Sequence, residues 1–213
     1  MGTSRSRAAF DKSVFINCPY DAEYTPLLRP LLFTVVVLGY KPLLASDRSD
    51  STENRVDKIL GLIRRSRLSI HDISRLKAST EGEFSRFNLP FELGLAHASR
   101  VFGPAQMRRK RCLILEKDQH DFRRALSDLA GVDIKAHAND PPGIVRCVRN
   151  WFVETVELTA AHSPTKIWYG FTDFAADFYS ARKADGFSDD DLNMMPTPEY
   201  TDFIRKWVAR NKQ

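Results

Sequence analysis

The sequence predicts an α/β fold, a flavodoxin-like three-layer α/β/α domain with a five-stranded parallel sheet in order 2-1-3-4-5 and helices added at its C-terminal side. Three observations predict it. Short apolar, β-rich runs alternate five times with longer segments of helical periodicity between Ser13 and Leu158. The strand runs are apolar nearly throughout, as parallel strands covered on both faces are. The 213 residues suffice for one such domain and a modest appendage.

The first strand is read at SVFINC (13–18). Thr25 can cap a following helix with Pro26 at its first position, Pro30 kinking or delaying its first turn and Gly39 ending it. KPLLAS (41–46) is the second strand, and DRSDSTEN a polar loop. The helix RVDKILGLIRRSR (55–67) follows, with Val56, Ile59, Leu60 and Ile63 at helical spacing. LSIHDIS (68–74) is the third strand, 75–88 a long polar loop, and a helix capped by Asn88, with Pro90 in its first turn, reaches Phe102. RCLILE (111–116) is the fourth strand, HDFRRALSDLAG (120–131) a short helix, VDIKAH (132–137) the fifth strand and GIVRCVRNWFVETVEL (143–158) a closing helix. Two aromatic amphipathic helices, within 168–187 and 198–210, flank the loop SDDDLNMMPTP. Their Trp168, Phe171, Phe174, Phe178, Phe203 and Trp207 require burial, against the domain or a second copy. The expected organisation is a disordered start (1–12), an α/β domain (13–161) and a C-terminal helical extension (162–213).

Composition narrows the function classes. Hydrophobic residues at 43% and charged residues at 28% describe a folded globular chain. The longest apolar run, LLRPLLFTVVVLGY, holds Arg29 and Pro30 and falls short of the roughly 18–20 residues that cross a bilayer. No membrane role is expected, and the N-terminal stretch lacks the apolar core of a secretory signal. Cys18, Cys112 and Cys147 lack paired spacing, which suits reduced thiols in the cytoplasm and predicts neither disulfide nor metal. Residues 1–161 carry 25 Lys/Arg against 19 Asp/Glu, so the basic excess of the +5 chain lies in the core domain. It suits an anionic nucleotide; without a nucleic-acid-reading motif, DNA or RNA is not an expected partner.

In doubly wound sheets, ligands bind beyond the carboxyl ends of the strands. That rule gathers NCPYD (17–21), SDRSD (46–50), HDISR (71–75) and the loop ending in RFNLPFE (86–92) on one rim. Glu92 stands out there. A glutamate near a helix N-terminus is favoured by the helix dipole by about 0.3–1 kcal/mol without any function. Leu89, Phe91, Leu93, Leu95 and Ala96 surround this one with apolar side chains, however, and a carboxylate in an apolar collar is what functional sites use. Around it, Asn17, Pro19, Tyr20, Asp21 and Tyr24, with Ser46, Asp47, Asp72 and Ser74, are candidate nucleotide contacts. Asp72 equally suits a structural acceptor for the following turn. Arg55 and Arg75 either meet phosphates from opposite sides of the cleft or are solvated surface arginines. Cys18 reads as a buried inert thiol, His71 as a core residue and RRKR (108–111) as a solvated edge.

The residues VFINCPYD, ILGLIRRSRLSIHDIS and FELGLAHA, in that order over 13–158, resemble the TIR-like and nucleoside 2-deoxyribosyltransferase-like superfamily. The resemblance implies that Glu92 is the catalytic residue that cleaves the nicotinamide N-glycosidic bond of NAD, the substrate and not a cofactor. It implies bacterial antiviral defence signalling, assembly as a homo-oligomer and a partner protein of a defence system. Asn88 stands where TIR enzymes commonly carry Trp, leaving Phe87 and Phe91 as the stacking surface. The chemistry suits one carboxylate: nicotinamide is cationic on the sugar and departs neutral, so no general acid is needed. The alternatives are a non-catalytic nucleotide-binding or signalling module and a deoxyribosyltransferase, the latter needing a second acid such as Asp72 or Asp21.

Overall fold

The computed structural model describes residues 2–76, 85–119 and 121–211. Five parallel strands, β1 (Ser13–Asn17), β2 (Lys41–Leu44), β3 (Leu68–Asp72), β4 (Arg111–Glu116) and β5 (Lys135–Ala136), form one sheet in order β2-β1-β3-β4-β5. Register is continuous across its centre, with Ile16 opposite both Leu44 and Ile70, and Ile70 opposite Leu113. Strand periodicity sorts the side chains by face. Val14, Ile16, Leu68, Ile70, Leu113 and Leu115 pack against α2 (Thr25–Val37) and α5 (Pro141–Glu154). Phe15 and Leu43 pack the opposite face with Ile59, Leu62 and Ile63 of α3 (Arg55–Arg65) and Ala96 of α4 (Asn88–Phe102).

The remaining helices are α1 (Gly2–Lys12), α6 (Pro164–Ala184), α7 (Asp189–Asn193) and α8 (Thr197–Arg210). Helices α6 and α8 form an outer layer over α2 and α5 that is continuous with the main core. Phe33 of α2 meets Phe171, Phe174 and Trp207 with ring centroids 5.6–5.8 Å apart, and Ile167, Phe174, Phe178 and Ile204 are buried. Of the aromatic residues expected to need burial, Phe174 and Phe178 are buried within the chain, while Trp168, Phe171, Phe203 and Trp207 are half-buried against the same core.

Several local expectations are corrected. The start is helical where disorder is expected: α1 buries Phe10, and its Phe10 carbonyl accepts from Arg67 N at 3.0 Å. Strands β2 and β3 end earlier than expected because a carboxylate closes each. Asp47 Oδ2 accepts from Leu44 N at 2.8 Å, and Asp72 Oδ1 from Ser74 N at 2.9 Å. Asn88 is the first residue of α4 rather than its cap, and Phe87 precedes it without a side-chain cap. The expected helix 120–131, whose His120 lies outside the described residues, is two 3-10 turns, Asp121–Arg124 and Ser127–Leu129. So short a helix is marginal alone, and these turns bring Phe122, Leu126 and Leu129 to Ile73, Leu93 and Ile114. β5 is only two residues long because it pairs only with the last two of β4, and positive φ at Ala138 and Asn139 then turns the chain away. Helix α5 starts at Pro141, with Asp140 accepting from Gly143 N at 2.8 Å. A Ser188–Asp191 capping box builds α7 inside an expected loop. Residues 77–84 of the expected loop 75–88 lie outside the described residues.

Candidate functional site

The sheet order reverses between β1 and β3, so their carboxyl ends diverge into a crevice. Glu92 stands on this rim, one turn inside α4 and only 6% exposed. Arg55 Nη2, at the first position of α3, lies 3.7 Å from Glu92 Oε1. Asn54 fixes that helix start by accepting from Val56 N at 2.9 Å. Burial raises the Glu92 carboxyl above the ordinary glutamate range, against the opposing pull of Arg55 and of a hydrogen bond from Asn88. Leu89 and Leu93 bury this helix against the sheet, while Phe87 and Phe91 stay 61% and 55% exposed. The result is a desolvated carboxylate flanked by uncovered aromatic rings.

The first loop brings further candidates together. Tyr20 has a partly exposed ring, but its hydroxyl donates to the Ile16 carbonyl at 3.2 Å. Burial pushes that phenol up, and Cys18, Asp47 and Glu92 add to the effect. Pro19 is buried, and Ser46 is exposed with its Oγ 3.3 Å from Thr197 Oγ1 of α8. Cys18 is a buried thiol, raised chiefly by burial, as expected of an inert cysteine.

Other candidates face inward. Asp72 is fully buried: Oδ2 accepts from Tyr24 Oη at 2.5 Å and lies 3.0 Å from His137 Nε2, while Oδ1 accepts from Ser74 N and Oγ. His137 Nδ1 accepts from Asn139 N at 3.1 Å, so Nε2 carries the proton that faces Asp72. Tyr24, Asp72, Ser74 and His137 form a strut tying together the loops after β1, β3 and β5. His137 went unseen in the sequence, because nothing in VDIKAH distinguishes a buried partner from a surface histidine.

Asn17 and His71, opposite each other in the sheet, turn toward α4. Asn17 Nδ2 donates to His71 Nδ1 at 3.0 Å and to the Leu89 carbonyl at 2.9 Å, anchoring the start of the Glu92 helix. Burial, helped by Lys110, lowers His71 to about 3, so the ring is neutral. Asn17 Oδ1 and His71 Nε2 have no hydrogen-bond partner among the described residues. Arg75 is committed to Asp21 at 3.2 Å and Glu23 at 2.9 Å, with Arg86 3.8 Å from Asp21. That clamp joins the loops after β1 and β3 and occupies an arginine expected to be free.

The C-terminal segment also reaches this rim. A cavity of about 320 Å³ lies between Tyr20, Asp21 and Ser46 on one side and Met194, Met195 and Thr197 on the other. Helical spacing shows that α8 must dock, but not where. Among the described residues, no group of His, Cys, Asp and Glu is arranged to hold a metal, and no helix is long and apolar enough to cross a membrane. No family model, curated protein or solved structure matches the chain.

Proposed function

We propose that the chain is a TIR-like NAD glycohydrolase or cyclase, acting in the cytoplasm in bacterial antiviral defence signalling, with Glu92 as its catalytic residue. One observation carries the reading: a carboxylate 6% exposed stands at the rim of the β1/β3 crevice, in the same turn of α4 as the uncovered Phe91. Breaking the nicotinamide–ribose bond sends the bonding pair to the ring nitrogen and leaves an oxocarbenium-like sugar. Glu92 stabilises that positive charge and orients the ribose hydroxyls, more strongly for being desolvated. Phe87 and Phe91 stack the nicotinamide ring, and the 17–24 and 46–50 loops hold the rest of the dinucleotide. Water adds at the vacated carbon and loses a proton to give ADP-ribose; attack by an adenine nitrogen gives the cyclic product.

One observation favours the non-catalytic nucleotide-binding module instead: Arg55 already pairs with Glu92, and Arg75 with Asp21 and Glu23. The deoxyribosyltransferase reading has less support. A departing nucleobase needs a proton, whereas Asp72 is enclosed and Asp21 is ion-paired.

The test is nicotinamide release from NAD by wild type, Glu92→Ala and Glu92→Gln, each confirmed as folded. Turnover by wild type and its loss by at least about 100-fold in both variants is the expected outcome. No turnover by wild type at any concentration would move the assignment to the binding module. The same reading includes homo-oligomeric assembly and a defence-system partner. Sizing chromatography across concentrations should show association, and a strict monomer with full activity would overturn that part.

A further inference from the structure

We propose that the cavity between the β2 edge of the sheet and helix α8 binds a polyphosphate group, inorganic or carried on a nucleotide. Its volume is about 290 Å³, and Lys41, Arg48, Lys58, Arg65 and Arg205 line it with a single carboxylate, Asp47. Asp47 and Arg48 belong to the 46–50 loop of the Glu92 rim and the other lining residues do not, so the cavity adjoins the rim across that loop without containing Glu92.

The cations divide into two groups. Lys58 donates to the Arg48 carbonyl at 2.9 Å, and both side chains pair with Glu53. Lys41, Arg65 and Arg205 have no carboxylate at ion-pair distance among the described residues, and reach Asp47 only through longer-range attraction. Asp47 is itself committed to Leu44 N. Lys41, Arg65 and Arg205 are exposed, so solvent screens their mutual repulsion; what favours an anion here is that guanidinium forks match phosphate oxygens with paired hydrogen bonds.

A second observation points the same way. Thr201 of α8 lines the cavity, is 3% exposed, and its Oγ1 has no hydrogen-bond partner among the described residues. A helical threonine ordinarily returns its hydroxyl to the carbonyl four residues earlier. A buried hydroxyl left without a partner costs about 1–3 kcal/mol; the Thr201 oxygen is itself covered, and a rotamer change as the anion enters lets a phosphate oxygen accept from it. Three cations without a carboxylate partner, beside two that Glu53 pairs, match an anion bearing several charges. Such a ligand would bridge α8 to the Ala45–Asp47 turn, next to Ser46 on the rim.

The test is calorimetric titration of the full chain with inorganic pyrophosphate and with ATP, in wild type, the Lys41→Glu/Arg205→Glu pair, Thr201→Val and Glu92→Gln. The expected result is saturable pyrophosphate binding that weakens at least about tenfold in the charge-reversed pair, one lost contact being worth about that factor. Thr201→Val should weaken it several-fold, and it removes the hydroxyl at constant volume, so folding is not at issue. Glu92→Gln should bind as wild type does, which separates this site from the proposed catalytic one. ATP binding tighter than pyrophosphate identifies a nucleotide-borne group; equal affinity identifies the polyphosphate alone. Absence of saturable binding at millimolar pyrophosphate, or binding by the charge-reversed pair equal to wild type, overturns the proposal.

Discussion

Glu92 sets stability against use. Burial raises its carboxyl pKa, so the folded chain holds that proton more tightly than the unfolded chain does. The associated stability is fully present below the unfolded glutamate value and is lost as pH rises through the raised folded value. At neutral pH the ionised, desolvated carboxylate is therefore a destabilising element that Arg55 only partly offsets, across 3.7 Å. Glu92→Gln should melt higher than wild type at pH 7, with the gap closing in acid; thermal melts across pH check this. An equal or lower melting temperature at pH 7 would show that Arg55 and Asn88 fully compensate the buried charge. If the carboxylate acts in catalysis, turnover should be lost on acidification, beginning at a pH above the ordinary glutamate range, because protonation removes the charge that acts.

At the scale of elements, ends are decided by side chains far away in sequence. Helix α3 stops at Arg65, and Lys110, the residue before β4, caps its last turn. Lys110 Nζ donates to the Ile63 carbonyl at 2.8 Å and to the Ser66 carbonyl. Burial lowers this ammonium to about 8, yet a cation at a helix C-terminus meets the favourable end of the dipole. Lys110→Ala should cost about 1–3 kcal/mol by leaving buried carbonyls unpaired, measured by urea denaturation. Because its folded pKa lies below that of a free lysine, the stability tied to its ionisation is present above the unfolded value and declines as pH falls through about 10.5 to 8. Lys110→Met should therefore lose less at neutral pH than Lys110→Ala, since it keeps the buried stem and removes the charge with it.

For the whole molecule, the outer layer of α6 and α8 is part of the core and not an accessory. Phe174 stacks on Phe33 at 5.6 Å and touches Phe178, Tyr200 and Trp207. Phe174→Ala should destabilise the chain by about 3–5 kcal/mol, as truncation of a buried aromatic does. Calorimetry should show one transition shifted down, since both layers share one hydrophobic cluster. Two separated transitions would mean that 162–213 unfolds as an independent unit.

The sequence by itself determined the sheet order, the alternation of strands and helices, and the rim on which Glu92 stands. Those follow from local apolar periodicity and from the single hand of parallel crossovers. The amphipathic patterns of 55–67 and 198–210 likewise announced helices; α3 runs within the first range, and α8 fills the second and starts one residue before it. Only the tertiary structure decided which charged groups meet: Arg55 with Glu92, Arg75 with Asp21, and His137 with Asp72, 65 positions apart in the chain. It also shortened β5, broke 120–131 into two turns and brought α8 against the β2 edge. Periodicity encodes which face of an element is buried, whereas ion pairs and cavities depend on how far separate elements slide and turn against one another.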